Sequence, residues 1–386
     1  MNKDGTYLVI TPFFPSNESF VGSYVYDQIT EIKNQSNFSI EIVKVVSYFS
    51  LESDYEFNGF KVNIFKTFDF PYFIFPGLFN SCNKRRFSKF LKKKNITNIC
   101  FSHSHVSYPS AYLVEDLTCT KIVQHHGLDV LQLLNGRSDF IKKLQRSYLI
   151  KRTIRQLNKS DLNIGVSELV LDQLRKYPTY SPKEELVLYN GVDTSKFYPI
   201  EREKNKIFTI GCVANFWEIK DQITLIKAVE ILYLKGEKIL LRLIGSGPKL
   251  DECCNYVKEH NLESIISFES EKEHSALNIF YNEIDLFVLP SYYEALGCVY
   301  LESWATNTPF VAVRNQGIAE LMPEDMKKKL LVSKSNKLNL SERILDLKNN
   351  PVILHFNEKY NIKNLIHDFL EYLIFDKEKM KGIDKT

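Results

Sequence analysis

The chain has no hydrophobic run long enough to cross a bilayer. Its longest strongly apolar stretch, residues 68–79, is broken by Pro71, Pro76 and Gly77 and falls well short of the ~20 residues a spanning helix needs. Its seven cysteines include no C-x-x-C pair, and their number is odd. This argues against a zinc knuckle or a disulfide frame and points to reduced thiols in a cytosolic protein. An excess of one charge is also missing. Fifty Lys and Arg face 47 Asp and Glu, a net charge of +3, so nothing global marks a nucleic-acid binder. Low-complexity segments and short-period repeats are absent. Met1-Asn-Lys-Asp-Gly-Thr6 runs straight into an apolar strand, so no signal peptide is expected and a cytoplasmic location is.

What remains is an ordinary folded composition, 44% apolar and 25% charged over 386 residues, too long for one core and suited to two domains. The near-neutral total hides a split of +6 over residues 1–200 and −3 over residues 201–386. Short apolar runs alternate with amphipathic ones in both halves, the pattern of β-α units feeding a parallel sheet. Strands are expected at residues 7–11, 40–46, 62–65, 99–101, 122–124, 162–166 and 186–189 in the first half. The second half restarts with 207–213, 239–244, 265–268, 286–289 and 310–313. Two doubly wound α/β sheets in tandem is the simplest architecture. The charged segment Pro199–Asn205 is the expected linker, giving domains 1–200 and 201–360 with a cleft between them.

The densest chemical signal is Pro290-Ser-Tyr-Tyr-Glu-Ala-Leu-Gly-Cys-Val-Tyr-Leu-Glu-Ser-Trp-Ala305, after the strand at 286–289. Gly297 stands where a loop becomes a helix, so the amides that follow, of Cys298 and Val299, offer a site for phosphate oxygens. Glu294 lies in the loop above the strand tip and Glu302 within the helix, and carboxylates accept well from sugar or ribose hydroxyls. The same spacing also fits a loop carboxylate and a solvated helix glutamate.

Residues 290–302 resemble the E-x7-E signature of the retaining glycosyltransferases of family 4 (glycosyl transferases group 1). That family has the GT-B architecture, two facing Rossmann-like domains. Asn190-Gly-Val-Asp193, Ile244-Gly-Ser-Gly-Pro248, Thr308-Pro-Phe-Val311, His126-Gly127 with Asp129, and Val166-Ser-Glu168 match in the expected order. The resemblance implies that Lys220 neutralises the donor diphosphate, with an arginine a few residues before it. Here that place is held by Asn215, beside Trp217. It implies that His126 meets the donor sugar, that the Gly22 loop approaches donor phosphate and acceptor, and that Leu296 belongs with Gly297, Cys298 and Val299 in the donor site. It further implies that a final helix, residues 361–386 with their amphipathic approach, crosses back to the first domain.

Other residues admit two readings. Gly245-Ser-Gly247 suggests a dinucleotide fingerprint, but Leu250 stands where the third glycine belongs, and the glycines equally suit a tight β-α turn. Gly22 fits a plain helix start as well as a phosphate loop. His103 and His105 are poor metal candidates, with no suitably spaced carboxylate. Lys84, Arg85, Arg86, Lys89, Lys92, Lys93 and Lys94 place seven positive charges in eleven residues. Phe87, Phe90 and Leu91 form one apolar face there. That helix suits an anionic membrane, at ~1 kcal/mol per basic residue near the surface, or a solvated cover over the sheet. The aromatic stretch 69–77 before it suits a membrane interface or a lipid-linked acceptor.

The expected activity is transfer of a sugar from a nucleotide-diphosphate sugar to a glycan or lipid-linked glycan in bacterial surface-polysaccharide assembly. Neither cofactor nor metal is expected, the partners being the nucleotide sugar, the acceptor and an anionic membrane surface at its inner face, with no nucleic acid. A non-catalytic sugar-nucleotide-binding subunit and a nicotinamide oxidoreductase are the rivals.

Overall fold

The computed structural model describes residues 5–68, 78–127, 140–201, 203 and 205–383. They fall into two compact units, Met1–Asn190 with Ile362–Thr386, and Gly191–Asn361.

The first unit is built on eight strands, β1 (Thr6–Thr11), β2 (Ser39–Ser47), β3 (Tyr55–Phe57), β4 (Phe60–Thr67), β5 (Ile99–His105), β6 (Thr120–His125), β7 (Leu162–Gly165) and β8 (Glu185–Val187). Their order is β3-β4-β2-β1-β5-β6-β7-β8. All neighbours run parallel except β3 and β4, which form a hairpin. Helices α1 (Ser23–Gln35), α2 (Asn80–Lys93), α3 (Phe140–Lys159) and α4 (Glu168–Arg175) connect them.

Every residue of β1 is buried, as expected of a central parallel strand covered on both faces. Successive side chains point to opposite faces. Tyr7 and Val9 join one core with Val25, Ile29 and Ile32 of α1 and with Ile366, Phe369 and Leu373 of the last helix, Ile362–Ile383. Leu8 and Ile10 join the other with Phe87 and Leu91 of α2. The last helix is thus part of the first unit, and Gln35 Nε2 donates to the Lys363 carbonyl at 2.9 Å.

The second unit has six parallel strands, β9 (Phe208–Val213), β10 (Ile239–Ile244), β11 (Ile266–Glu269), β12 (Leu286–Leu289), β13 (Phe310–Val313) and β14 (Leu331–Val332), in the order β11-β10-β9-β12-β13-β14. Its helices are α5 (Gln222–Leu234), α6 (Leu250–Glu259), α7 (His274–Glu283), α8 (Cys298–Ala305), α9 (Ile318–Leu321), α10 (Glu324–Leu330) and α11 (Lys337–Asn349).

The first unit ends at Asn190, before the expected boundary at 200. The reason is hydrogen bonding: the Tyr198 amide donates to Asn278 and the Ile200 amide to Asn282, both on α7, at 3.0 and 2.7 Å. Among the parallel strands, the order turns back between β1 and β5 in the first sheet and between β9 and β12 in the second, and ligands of open α/β sheets sit beyond the carboxyl ends of such strand pairs. Among the described residues no helix is long and apolar enough to cross a membrane.

Candidate active site

The reversal in the second sheet brings two loops together. The loop after β9 closes in a short turn, Glu218–Lys220, and the loop after β12 carries Glu294. The Lys220 ammonium donates to Glu294 Oε1 at 2.6 Å, with side chains 25% and 12% exposed. The backbone secures this meeting, since the Tyr292 amide donates to the Ile219 carbonyl at 3.0 Å. A third loop, after β13, holds Glu294 from the other side. Gln316 Oε1 accepts from the Glu294 amide, and the Gly317 amide donates to the Glu294 carbonyl at 3.2 Å.

Gly297 starts α8 from the left-handed region, φ 82°. A side chain there would also meet the Tyr300 ring at 2.6 Å, so glycine is required twice over. No side chain caps α8, and its first amides, of Cys298 and Val299, have no acceptor within the helix. They carry the partial positive charge that suits a phosphate. Leu296 is buried in the core beneath the loop and adds no polar side chain.

Glu302 is buried within α8, which removes the reading of it as a solvated glutamate. Tyr281 of α7 donates its hydroxyl to Oε2 at 2.8 Å, and His274, the first residue of α7, lies with Nε2 3.1 Å from Oε1. Burial, and then the Glu302 charge, push the Tyr281 phenol well above its ordinary range, so it stays protonated and donates. Each carboxylate oxygen of Glu302 thus has a side-chain partner from α7.

Gly245 and Gly247 pack against neighbouring backbone. A side-chain carbon at Gly245 would lie 2.2 Å from the Ala214 carbonyl oxygen, and one at Gly247 2.8 Å from that of Phe216. Their absence of side chains lets the loops after β9 and β10 close on each other, where Phe216 donates its amide to Ser246 at 2.7 Å. Asn215 sits in this same loop. Its carbonyl accepts from Gln222 Nε2 at 3.1 Å, and Trp217 beside it is 56% exposed.

In the first unit, Gly22 precedes α1 and His126 follows β6. His126 Nε2 lies 3.0 Å from Nδ1 of His105, and its ring centroid lies 4.8 Å from that of Tyr24. His105 is stacked on His103 at 4.3 Å, and His103 Nδ1 meets the Tyr7 hydroxyl at 2.7 Å. Burial, with His126 adding to it, pushes the His103 imidazole down to about 3. Burial and the neighbouring His103 and His126 hold His105 well below the ordinary range. Asp129 lies outside the described residues.

The basic segment divides. Lys84 pairs with Glu115 at 3.1 Å and Asp116 at 3.0 Å, and Lys94 with Asp54. Arg86 lies 5.7 Å from the Tyr48 and Phe65 rings. Arg85, Lys89, Lys92 and Lys93 are exposed. Phe87 and Leu91 are buried against the sheet, so the apolar face of α2 covers the core and is not presented to a membrane. The aromatic stretch 69–77 lies outside the described residues. Among the described residues no group of three or more His, Cys, Asp or Glu is placed to hold a metal.

Several contributors to this geometry are not legible from sequence pattern, namely Gln316, Gly317, Tyr281 and His274. The polar turn Asn315-Gln316-Gly317 after β13 is the one local signal among them.

Residues 193–364 match the Glycosyl transferases group 1 family and residues 37–196 match Glycosyltransferase Family 4. An uncharacterized glycosyltransferase of Methanocaldococcus jannaschii is 29% identical over 252 residues, 64% of this chain and 65% of that protein. The alpha-monoglucosyldiacylglycerol synthase of Streptococcus pneumoniae is 26% identical over 200 residues, 47% of this chain and 44% of that protein. The chain thus spans less than two thirds of the length of these relatives. Among solved structures, Anabaena HepE in complex with UDP and glucose superposes with a TM-score of 0.69 at 13% identity, covering 95% of this chain and 99% of that one. The two units are those of the GT-B fold.

Proposed function

Because the chain belongs to the Glycosyl transferases group 1 family, we propose that it moves a sugar from a nucleotide-diphosphate sugar to a hydroxyl of a glycan or lipid-linked glycan. The observation that carries this reading is the Lys220–Glu294 pair, 2.6 Å apart, in the same loop system as the uncapped start of α8. In this reading the diphosphate takes the Lys220 ammonium and the amides of Cys298 and Val299. The sugar ring faces Glu294, and Glu302 accepts from the ribose hydroxyls. Fixed donors that offset charge developing on the leaving group lower the barrier without reorganisation.

The reaction retains anomeric configuration and needs no metal. The bond from C1 to the diphosphate oxygen breaks, the acceptor oxygen bonds to C1 on the same face, and the acceptor proton passes to the departing diphosphate. The exposed Arg85, Lys89, Lys92 and Lys93 meet anionic lipid, placing the protein on the inner face of a cytoplasmic membrane in surface-polysaccharide assembly. The glycolipid synthase among the relatives favours a lipid-linked acceptor, and the HepE complex with UDP and glucose makes UDP-sugars the first donors to try.

Thermal shift with UDP-glucose, UDP-N-acetylglucosamine and GDP-mannose tests the reading, since a donor at about 100 times its Kd adds ~2.7 kcal/mol of stability. At least one is expected to raise the melting temperature and to be hydrolysed slowly, with undiminished rate in EDTA. No shift with any of them overturns the donor site, and a loss in EDTA restored by Mn²⁺ overturns the metal-free reaction. Asn215, where the family resemblance expects arginine, favours a second reading, a binding subunit without turnover. Tight donor binding with no nucleotide release across an acceptor panel decides for it.

A further inference from the structure

Exposed apolar side chains are ordinary when scattered, but three fall within four residues after β2. Tyr48 is 47% exposed, Phe49 72% and Leu51 99%. The turn that presents them is held in place. The Ser50 amide donates to the Ser47 carbonyl at 2.9 Å, and the Lys66 ammonium of β4 donates to the Ser50 carbonyl at 2.5 Å. Phe49 and Leu51 therefore stand in water at a fixed place, where the core gains little from them.

The same loop walls a groove. Its next residues, Glu52 to Asp54, line an open cavity of about 750 Å³ together with β4 and α2. Ile64, Phe65 and Phe90 supply its apolar lining, and Lys66, Arg86, Lys89 and Lys93 bring four cations to it. Its two carboxylates are already matched, Glu52 by Lys44 at 2.6 Å and Asp54 by Lys94. Lys89 and Lys93 are exposed and pair with no carboxylate among the described residues. The Arg86 guanidinium lies 5.7 Å from the centre of the Tyr48 ring, which ties the groove to the apolar turn.

We propose that this groove seats the phosphate headgroup of an anionic phospholipid while Phe49 and Leu51 enter the acyl region of the same leaflet. Charge complementarity selects the occupant, since four cations surround an apolar lining whose carboxylates are spent on lysines that do not line it. A neutral glycan would leave the cations unmatched, and a soluble phosphate would leave Phe49 and Leu51 in water. The proposal rests on the membrane contact given under the proposed function and gives it a place. It separates Lys89 and Lys93, which line the groove, from Arg85 and Lys92, which do not. Two inserted side chains are a weak anchor without the cations, so binding still falls with salt.

The test sediments the full chain with phosphatidylglycerol vesicles at low salt. Lys89→Gln with Lys93→Gln should weaken binding about thirtyfold, and Arg85→Gln with Lys92→Gln, an equal loss of charge, about threefold or less. Equal losses mean diffuse attraction and overturn the groove, as does equal wild-type binding to phosphatidylcholine. Phe49→Ser with Leu51→Ser should weaken binding about tenfold and leave the melting temperature unchanged, because both side chains are exposed. Undiminished binding by that variant overturns the insertion and leaves the electrostatic contact standing, whereas no sedimentation of the wild type removes the contact and the proposal with it. Leu51→Trp reports the depth directly. Phosphatidylglycerol with brominated acyl chains should quench its emission beyond the wild-type background of Trp217 and Trp304, and no added quenching overturns the insertion. Self-association without lipid that the double serine variant abolishes makes the turn a contact between copies of the chain and overturns the proposal as well.

Discussion

The Lys220 ammonium donates to Glu294 Oε1 across 2.6 Å, joining the loop after β9 to the loop after β12 at the point where the strand order of the second sheet reverses. A partly exposed ion pair of this kind adds only ~0–1 kcal/mol to stability, so its value lies in placing two groups. Lys220→Ala and Glu294→Gln should each lower turnover by about tenfold or more, ~1.4 kcal/mol in the transition state, while the melting temperature moves little. Donor hydrolysis measured beside a thermal melt separates the two effects. Near-normal rates in both variants would sink the assignment.

Tyr281 and His274 hold Glu302 from α7, so under the proposed role of Glu302 at the ribose, nucleotide affinity should depend on residues that need not touch the nucleotide. Tyr281→Phe removes the hydroxyl from a buried carboxylate oxygen, a loss on the order of 1–3 kcal/mol. The unsatisfied oxygen should turn or take up water, and UDP binding measured by calorimetry should weaken by about tenfold, ~1.4 kcal/mol. Glu302→Ala should weaken it at least as much. UDP binding to Tyr281→Phe that matches wild type would show that Glu302 needs no such support.

The buried imidazoles set an acid limit on the first unit. Burial and the neighbouring His126 depress His103 from 6.5 to about 3, and His105 is displaced the same way. In the unfolded chain both titrate at the ordinary value, so between the two ranges the unfolded state binds more protons. Stability is therefore full above pH ~6.5 and falls as the pH drops toward 3, on the order of 1 kcal/mol per pH unit for each histidine. Tyr7, pushed upward by burial, stays a neutral phenol throughout and contributes nothing to this slope. Urea midpoints should be level from pH 7 to 8 and decline steadily from pH 6 to 5. A level profile through pH 5 would mean that these rings are hydrated.

The strands at 239–244, 286–289 and 310–313 can be read from sequence to the residue, because each is an apolar run, broken only by Arg242, that stops at polar, Gly or Pro residues. The hairpin of β3 and β4 is missed by that reading, since Tyr55-Glu-Phe57 is short and half-exposed. Its turn is nonetheless signalled by Asn58-Gly59, with φ of 45° and 75°, a pair suited to two-residue hairpin turns. Lys220 and Glu294 are legible because each follows a strand end. Gln316 and Tyr281 are not, since each reaches its glutamate from an element 22 or 21 residues away in sequence. The doublet Gly245 and Gly247 illustrates a different limit. The sequence pattern allows either ligand approach or loop packing, and only the 2.2 Å approach of the Ala214 carbonyl gives the packing reason.

The basic segment of α2 shows why a charge count is not a binding surface. Lys84 and Lys94 are occupied by Glu115, Asp116 and Asp54, and Phe87 and Leu91 are spent on the core. In the proposed membrane contact, attraction to anionic lipid would therefore fall to the exposed Arg85, Lys89, Lys92 and Lys93, without insertion of the helix's apolar face, and contact of this kind is screened within ~8 Å at physiological ionic strength. Replacing Lys89, Lys92 and Lys93 with Glu should abolish sedimentation with vesicles of phosphatidylglycerol, whereas Lys84→Glu and Lys94→Glu should act mainly on stability by breaking their ion pairs. Wild-type binding should be lost as salt is raised from about 0.05 to 0.5 M, at ~1 kcal/mol per basic residue engaged. Salt-insensitive sedimentation would point instead to insertion by another part of the chain, and unchanged sedimentation of the triple variant would remove these lysines from any membrane role.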